Sequence, residues 1–244
     1  MAPAQIFDAL LLLARPAAGK SEIIRYLKQT DPEIRREKFH VGNIREIDDF
    51  PMLWSWFEED ALLEKMGYPR LHSNSNEYFL GNHLWDLLIQ RICLDYQKAA
   101  RDDDPANPEF TTLVEFARGK EHGGWRQAFA QLTPHLLNRA AILYVNVSFA
   151  ESLRKNRQRF NPDRPDSILQ HGLSDEKMHV LYKDSDWAEI TAGQADHLTI
   201  QGIRVPFFVF ENEDDVTTPG GAPLGRRLEY ALGQLWQNAQ NLRA

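Results

Sequence analysis

The distribution of apolar residues along the chain predicts strands that alternate with helices. Residues 6–13 are apolar almost throughout, as is typical of a parallel strand buried on both faces. Further strands are predicted at 38–44, 111–116, 140–148 and 205–212. This alternation favours an α/β fold with a mostly parallel central sheet. Because parallel strands end at the same edge, functional residues are expected at their carboxyl ends.

Helical spacing of apolar residues appears between these strands. A helix is predicted over residues 20–29, since the following Asp31-Pro32 pair disfavours its continuation. Ser148 and Glu151 form a capping-box pattern that opens another helix. Four apolar sets predict the remaining helices: Trp54, Phe57 and Ala61; Trp85, Leu88, Ile92 and Tyr96; Trp125, Phe129, Leu132 and Leu136, with a kink or break at Pro134; and Leu224, Leu228, Leu232 and Leu235.

Composition and charge narrow the class of protein. The 244 residues, 43% of them hydrophobic and 26% charged, suffice for a single α/β domain over 1–244. A net charge of −7 argues against a nonspecific nucleic-acid-binding protein, which carries a basic face. The single cysteine, Cys93, excludes an internal disulfide and a cysteine-based metal site. Without signal-peptide features or a run of about 20 apolar residues, we expect a cytoplasmic protein with no membrane partner.

The segment ARPAAGKS, residues 14–21, joins the first strand to the first helix and has the spacing of a phosphate-binding loop. That loop usually reads G-x-x-x-x-G-K-[ST], and here Ala14 takes the place of the first glycine. Alanine is costly there only if φ must be positive, so we interpret Ala14 as tolerated. Gly19 permits close approach of a phosphate, Lys20 reaches its oxygens and Ser21 holds Mg²⁺. The other predicted nucleotide-binding positions are Arg15, Pro16, Ala17 and Ala18.

The strand, loop and helix over residues 6–27 resemble those of P-loop NTPases, and the whole layout is similar to their nucleoside- and nucleotide-kinase branch. The resemblance implies a three-layer fold with about five strands, ATP and Mg²⁺ as cofactors, and phosphoryl transfer to a small-molecule acceptor. It also implies a helical insertion at 50–108 that binds the acceptor and a lid-like region at 149–190. The alternative is a non-catalytic nucleotide-binding protein that acts as a sensor or interaction module.

Two acidic segments lie at predicted strand ends where such kinases carry functional groups. Asp48 and Asp49 follow the second strand, where a carboxylate aligns or deprotonates the attacking hydroxyl. A solvated turn is the alternative for this pair. Glu115 and Arg118 lie at the end of the third strand, and the resemblance implies that both bind substrate and that Glu115, with Ser21, holds the metal. A structural ion pair between Glu115 and Arg118 is the alternative.

A basic cluster follows the predicted fourth strand and contains Arg154, Lys155, Arg157, Arg159 and Arg164. The resemblance implies that lid arginines neutralise the transferring phosphoryl group, and we assign this catalytic role to Arg154 and Arg157. Arginine suits the role because its planar fork binds phosphate oxygens in pairs. On a helix, Arg154 and Arg157 share one face and Lys155 and Arg159 another, so only part of the cluster meets one ligand. A solvated helix face is the alternative.

Other segments leave the acceptor open. The resemblance places adenine against residues 211–218, and polar residues within 71–79 are candidates for substrate recognition, although an ordinary surface loop is the simpler interpretation. Trp54 and Trp56 could stack on a base or pack in the core. The histidines lack metal-site spacing and are interpreted as structural. Nucleoside, nucleotide, sugar and other metabolites all remain candidate acceptors, and the oligomeric state is not predicted.

Overall fold

The computed structural model describes residues 6–104, 108–159 and 172–243. The strands are β1 (Ala9–Ala14), β2 (Asn43–Asp48), β3 (Phe110–Phe116), β4 (Ala140–Asn146), β5 (His197–Ile200) and β6 (Ile203–Glu211). The helices are α1 (Lys20–Gln29), α2 (Pro32–Phe39), α3 (Asp49–Lys65), α4 (His83–Arg101), α5 (Gly124–Ala130), α6 (Pro134–Leu137), α7 (Phe149–Arg159), α8 (Asp175–Tyr182), α9 (Trp187–Ile190) and α10 (Gly221–Arg243).

These strands form one sheet in the order β2-β3-β1-β4-β6-β5. Neighbouring strands are parallel except β5 and β6, which pair antiparallel. The prediction of a mostly parallel α/β sheet is therefore confirmed, with six strands in place of about five. Strand β5 has only four residues and turns into β6 through Gln201 and Gly202, whose φ angles are +50° and +79°. A strand of four residues is too short to show a clear period in the sequence.

The sheet lies between two layers of helices, because both of its faces are apolar. Leu11 and Leu13 of β1 contribute to a core with residues of α4, α5, α6 and α9. Leu10 and Leu12 contribute to the opposite core, with residues of α1, α2 and α10. The alternation of neighbouring side chains in β1 thus supplies both cores. Within the described ranges, no helix is long and apolar enough to span a bilayer.

The strand predicted at 38–44 is wrong in its boundaries, since β2 begins only at Asn43. The Asp31-Pro32 pair ends α1 as expected but also starts α2. The Asp31 carboxylate accepts a hydrogen bond from Glu33 N at 2.9 Å, and Pro32 occupies the first helical turn. This shift of β2 places Asp48 as its last residue, at the carboxyl edge of the sheet.

The predicted break at Pro134 is confirmed, since α5 and α6 are separate helices. The capping box at Ser148 is half formed. Its hydroxyl accepts a hydrogen bond from Glu151 N at 3.1 Å. The Glu151 carboxylate instead accepts hydrogen bonds from Arg154, and Ser148 N donates to Glu213 at 2.6 Å. The start of α7 is therefore joined to the segment that follows β6.

A buried carboxylate fixes the connection between α3 and α4. Asp60 is fully buried, and it accepts hydrogen bonds from Leu71 N at 2.7 Å and from Ser73 N and Oγ at 2.6 and 2.7 Å. Burial alone would raise the pKa of Asp60, but these bonds and those from His72 outweigh it and lower the pKa to about 2. Asp60 therefore fixes the backbone of residues 71–73 within the connection between α3 and α4.

We expect Asp60→Asn to destabilise the fold by roughly 2–3 kcal/mol, because an amide cannot accept all these hydrogen bonds. Urea unfolding measures the change, and the exposed neighbour in Glu59→Gln should be neutral. Because the folded-state pKa is about 2 and the ordinary value 3.8, the difference between wild type and variant should shrink as the pH falls through this range. A difference that is independent of pH there would contradict this role of Asp60.

Candidate functional site

The connections of the sheet leave a crevice at the carboxyl ends of β1 and β4. From β1 the chain turns towards β2, and from the adjacent β4 it turns the other way, towards β6. Ligands of open α/β sheets bind outside the carboxyl ends of the strands at such a switch point. The loop of residues 15–19 between β1 and α1 lies at this point.

The backbone of this loop makes two left-handed turns. Ala17 has a φ of +55° and Gly19 a φ of +114°. Ala14 instead ends β1, where it is fully buried and lies in register with Val145 of β4. The conformation of Ala14 is therefore one that an alanine adopts without strain, as predicted.

Helix α1 begins at Lys20 with Gly19 as its N-cap, and glycine has no side chain to bond to the first N–H groups of the helix. An open helix N-terminus favours an anion. Arg15 does not face this region, since its Nη2 donates a hydrogen bond to the carbonyl of Lys183 at 3.1 Å. The carbonyl of Pro16 accepts a hydrogen bond from Ser152 Oγ at 2.7 Å, which joins the loop to α7.

The segment after β6 braces the other side of the loop. Asn212 Nδ2 donates hydrogen bonds to the carbonyl of Ala18 and to Thr217 Oγ1, each at 2.8 Å. A Cβ atom at Gly19 would lie 2.5 Å from Thr217 Oγ1 and 2.9 Å from Asn212 Nδ2. Gly19 is therefore required both by its φ angle and by this packing.

Two cavities adjoin at the loop. The first, the loop cavity, measures about 190 Å³ and is lined by residues 17–22, Lys155, Gln158, Arg159 and Thr218. The second, the aromatic cleft, measures about 290 Å³, and its walls include Phe50, Trp54, Tyr78, Phe79, Trp85 and Tyr182. Ala17, Lys20, Ser21 and Arg159 line both cavities. Of the predicted loop residues, Ala17, Lys20 and Ser21 therefore lie where the two compartments meet.

Asp48 and Glu115 line the aromatic cleft from neighbouring strands and are in register with each other. Asp48 Oδ1 accepts a hydrogen bond from Phe50 N at 3.0 Å and so caps α3. Burial, with a smaller contribution from the charge of Asp49, raises the pKa of Asp48 to about 6. Burial likewise raises the pKa of Glu115 to about 7, against the opposing charge of Lys20. Near neutral pH this pair is thus able to accept a proton.

Asp49 has a different environment from its neighbour. It is buried, and its Oδ2 forms an ion pair with Arg118 Nη1 at 2.6 Å. Arg118 Nη2 also donates a hydrogen bond to the carbonyl of Trp85 at 3.2 Å. The alternative pairing of Arg118 with Glu115 is therefore not formed. Asp49 and Arg118 both line the aromatic cleft, where they form a fixed, neutral pair.

The cations of α7 divide between two faces, as helical spacing predicted, but the residues that line the cavities are Lys155 and Arg159. Lys155 Nζ bonds to Asp215 Oδ1 at 2.5 Å and to Thr217 Oγ1 at 2.9 Å. Neither predicted catalytic arginine lines either cavity. Arg154 pairs with Glu151 and Asp215, and Arg157 pairs with Asp175. Arg164 and the rest of 160–171 lie outside the described residues.

The candidate metal ligands Ser21 and Glu115 both line the aromatic cleft. In the parts of the chain that the structure describes, no group of three or more His, Cys, Asp or Glu side chains could hold a metal ion. Magnesium commonly takes only one or two protein ligands and completes its shell with water and substrate phosphates. The donors present fit such a site.

His122 is a site residue that the sequence did not indicate. It follows β3 in the 3₁₀ turn Lys120–His122, lines the aromatic cleft and stacks on Trp85 with ring centroids 3.8 Å apart. Burial, with a smaller contribution from Arg118, lowers the pKa of His122 to about 3, so the ring is neutral. Its sequence spacing carries no signal, because Trp85 approaches it only through the fold.

Comparison with known proteins does not identify a family: no family model matches the chain, and no curated protein matches it significantly. The functional assignment therefore rests on the site's geometry and chemistry.

We expect Gly19→Ala to destabilise the protein by roughly 1–3 kcal/mol, because the added Cβ is strained at a φ of +114° and meets Thr217. A matched control is Gly233→Ala in α10, where nothing lies within 4 Å of the new Cβ. Alanine should stabilise that helix by about 0.5–1 kcal/mol. Urea unfolding measures whether the free energy of unfolding falls for Gly19→Ala and rises for Gly233→Ala. If both substitutions stabilised the protein, the loop would accommodate a side chain at position 19.

Proposed function

We propose that the protein is an ATP-dependent kinase that transfers a phosphoryl group to the hydroxyl of a small molecule. One observation carries this proposal: the loop cavity and the aromatic cleft meet at Lys20 and Ser21. Thr218, from the segment expected to contact adenine, lines the loop cavity, which leaves the aromatic cleft for a second molecule. Asp48 and Glu115, which line the aromatic cleft together with Lys20 and Ser21, supply groups for proton transfer and metal binding.

The loop cavity suits the phosphates of ATP. The turn at Gly19 and the N-terminus of α1 provide backbone N–H groups, and Lys20 and Arg159 provide positive charge. Ser21 and Glu115 would hold Mg²⁺ together with phosphate oxygens. When bound, Mg²⁺ would offset negative charge on the transferring group. Lys20 lies where both compartments meet and would stabilise that charge during transfer.

The aromatic cleft suits the acceptor, and Asp48 is the residue proposed to align its hydroxyl. Phosphoryl transfer depends mainly on positioning and charge stabilisation, so a held carboxylate suffices as the base. The hydrogen bond from Phe50 N holds Asp48 at the wall of the cleft. Asp49 serves a different role, since its ion pair fixes Arg118 against Trp85. Asp48 is thus the base, and Asp49 a positioning residue.

We expect Lys20→Ala to lower ATP turnover by at least about 100-fold, because it removes the charge at the meeting point of the cavities. Turnover with a panel of acceptors and calorimetric titration of Mg·ATP measure the two effects separately. Lys28→Ala changes the opposite end of the same helix, where the lysine is exposed, and should leave both quantities unaffected.

Undiminished turnover in Lys20→Ala would refute the role of Lys20. Nucleotide binding that depends on Lys20, with no turnover for any acceptor, would favour the sensor or interaction module instead.

We expect Asp48→Asn to lower kcat by about 10²–10⁴-fold while ATP affinity is retained, because the variant loses the base but keeps a side chain that caps α3. A base must be deprotonated to act, and the pKa of Asp48 is raised to about 6. Wild-type activity should therefore fall as the pH decreases through about 6. Glu46→Gln, an exposed change in the same strand, is the control. A wild-type rate that stays flat down to pH 4 would exclude a base with this pKa.

A further inference from the structure

We infer that the acceptor is a flat, conjugated-ring alcohol without a phosphate group, and that His122 donates a hydrogen bond to an acceptor atom on its ring. The compound's role as the phosphoryl acceptor rests on the proposed kinase function, whereas its binding does not. Three independent features of the aromatic cleft carry the inference: its ring-lined walls, the balance of its charges and the unpaired donor of His122.

The walls of the cleft favour a planar ligand. Phe50, Trp54, Tyr78 and Phe79 line the cleft and are only partly buried, so ring surface remains accessible. Trp85 and its stacked partner His122 close another wall. Aromatic side chains attract planar conjugated rings by stacking, an interaction that a saturated sugar cannot match. The cleft therefore fits a flat ring better than a polyol.

The charges of the cleft disfavour a second phosphate. Away from the loop cavity, the cations among the described lining residues are Arg118 and Lys177. Each is already paired with a carboxylate, Arg118 with Asp49 at 2.6 Å and Lys177 with Glu77 at 2.7 Å. Glu121 also lines the cleft and adds negative charge. Because phosphate recognition requires available cationic donors, this part of the cleft does not suit a phosphorylated acceptor.

His122 supplies the specific donor. Its side chain is 97% buried, with 3% exposed, and its Nδ1 accepts a hydrogen bond from Gly119 N at 3.4 Å. In a neutral ring this bond assigns the proton to Nε2. Nε2 has no hydrogen-bond partner among the residues that the structure describes. A buried N–H without a partner is costly, and a carbonyl oxygen or ring nitrogen of a ligand in the cleft would satisfy it.

The positions of His122 and Asp48 determine the orientation of the ligand in the cleft. The ring lies among the aromatic walls with its carbonyl oxygen or ring nitrogen at His122 Nε2, and its hydroxyl lies towards Asp48. During transfer, a bond forms between the hydroxyl oxygen and the γ-phosphorus while the bond from that phosphorus to the β,γ-bridging oxygen breaks. The hydroxyl proton passes to Asp48, and ADP is the leaving group.

Calorimetric binding in the absence of nucleotide, with excess inorganic tripolyphosphate to occupy the loop cavity, tests the inference. The probes are two flat-ring alcohols, uridine and pyridoxine, their 5′-phosphate esters, and ribose as a polyol without a conjugated ring. We expect one ring alcohol or both to bind at least about tenfold more tightly than the matching phosphate ester and ribose, which corresponds to about 1.4 kcal/mol. Equal or tighter binding of the phosphate esters or of ribose, or no binding of either ring alcohol, would overturn the inference.

Substitution of His122 tests the donor. We expect His122→Phe, which keeps the stacking on Trp85 but removes the N–H, to weaken ring binding about tenfold. His122→Gln restores an N–H donor and should recover part of the loss. His135→Phe, on α6 away from the cleft, is the matched control. Circular dichroism verifies folding, and unchanged binding in folded His122→Phe would refute the role of His122.

These results are separable from those of the kinase proposal. Ring binding that depends on His122, without phosphorylation when Mg·ATP is added, would contradict the kinase function but leave the ligand class intact. Lys20-dependent turnover with an acceptor that is phosphorylated or lacks a conjugated ring would support the kinase function and overturn the ligand class.

Discussion

The site depends on the close packing of Gly19 against Asn212 and Thr217. This contact joins three parts of the chain, since Thr217 also accepts a hydrogen bond from Lys155 of α7. The loop therefore has its shape because β1, the segment after β6 and α7 meet at one edge of the sheet. Alanine rarely adopts a left-handed conformation by local propensity, so Ala17, with a φ of +55°, depends on these neighbours. The loop cavity is a product of the whole sheet order.

The same sheet edge gives two adjacent aspartates different roles. Asp48 ends β2 and Asp49 begins α3, so the change from strand to helix turns their side chains into different surroundings. Asp49 meets Arg118 and forms a buried ion pair, for which good geometry and further hydrogen bonds must offset the loss of hydration. Asp48 stays at the wall of the cleft with a raised pKa. The chemical difference between them arises from backbone geometry.

The sequence predicted the parts of the fold that depend on local pattern. The apolar run of β1, the Gly19-Lys20-Ser21 triplet and the leucines of α10 each occupy the expected element. The error in the bounds of β2 arose where one local signal has two meanings. Asp31 looked like an end of structure, but its side chain also starts α2, and this moved β2 along the chain.

The site residues set by local pattern were also predictable, and those set by contacts between distant parts of the chain were not. The loop positions and Asp48 could be found because strand ends converge at one edge of a parallel sheet. The α7 faces were predictable from helical spacing, but which face meets the cavities depends on Ser152 bonding to Pro16 and on Asp215 bonding to Lys155. His122 could not be found, since its importance lies in a stacking partner 37 positions earlier in the chain.

The pairing of Lys155 with Asp215 also affects the stability of the fold. Lys155 is almost fully buried, and a buried cation without a counter-ion would weigh heavily against folding. Asp215 provides that counter-ion from within the protein, so the charge of Lys155 is balanced without a ligand. An incoming anion would have to share Lys155 with a resident carboxylate, which limits the binding free energy that this lysine contributes. For the proposed kinase, such a site would favour prompt release of an anionic product over tight retention.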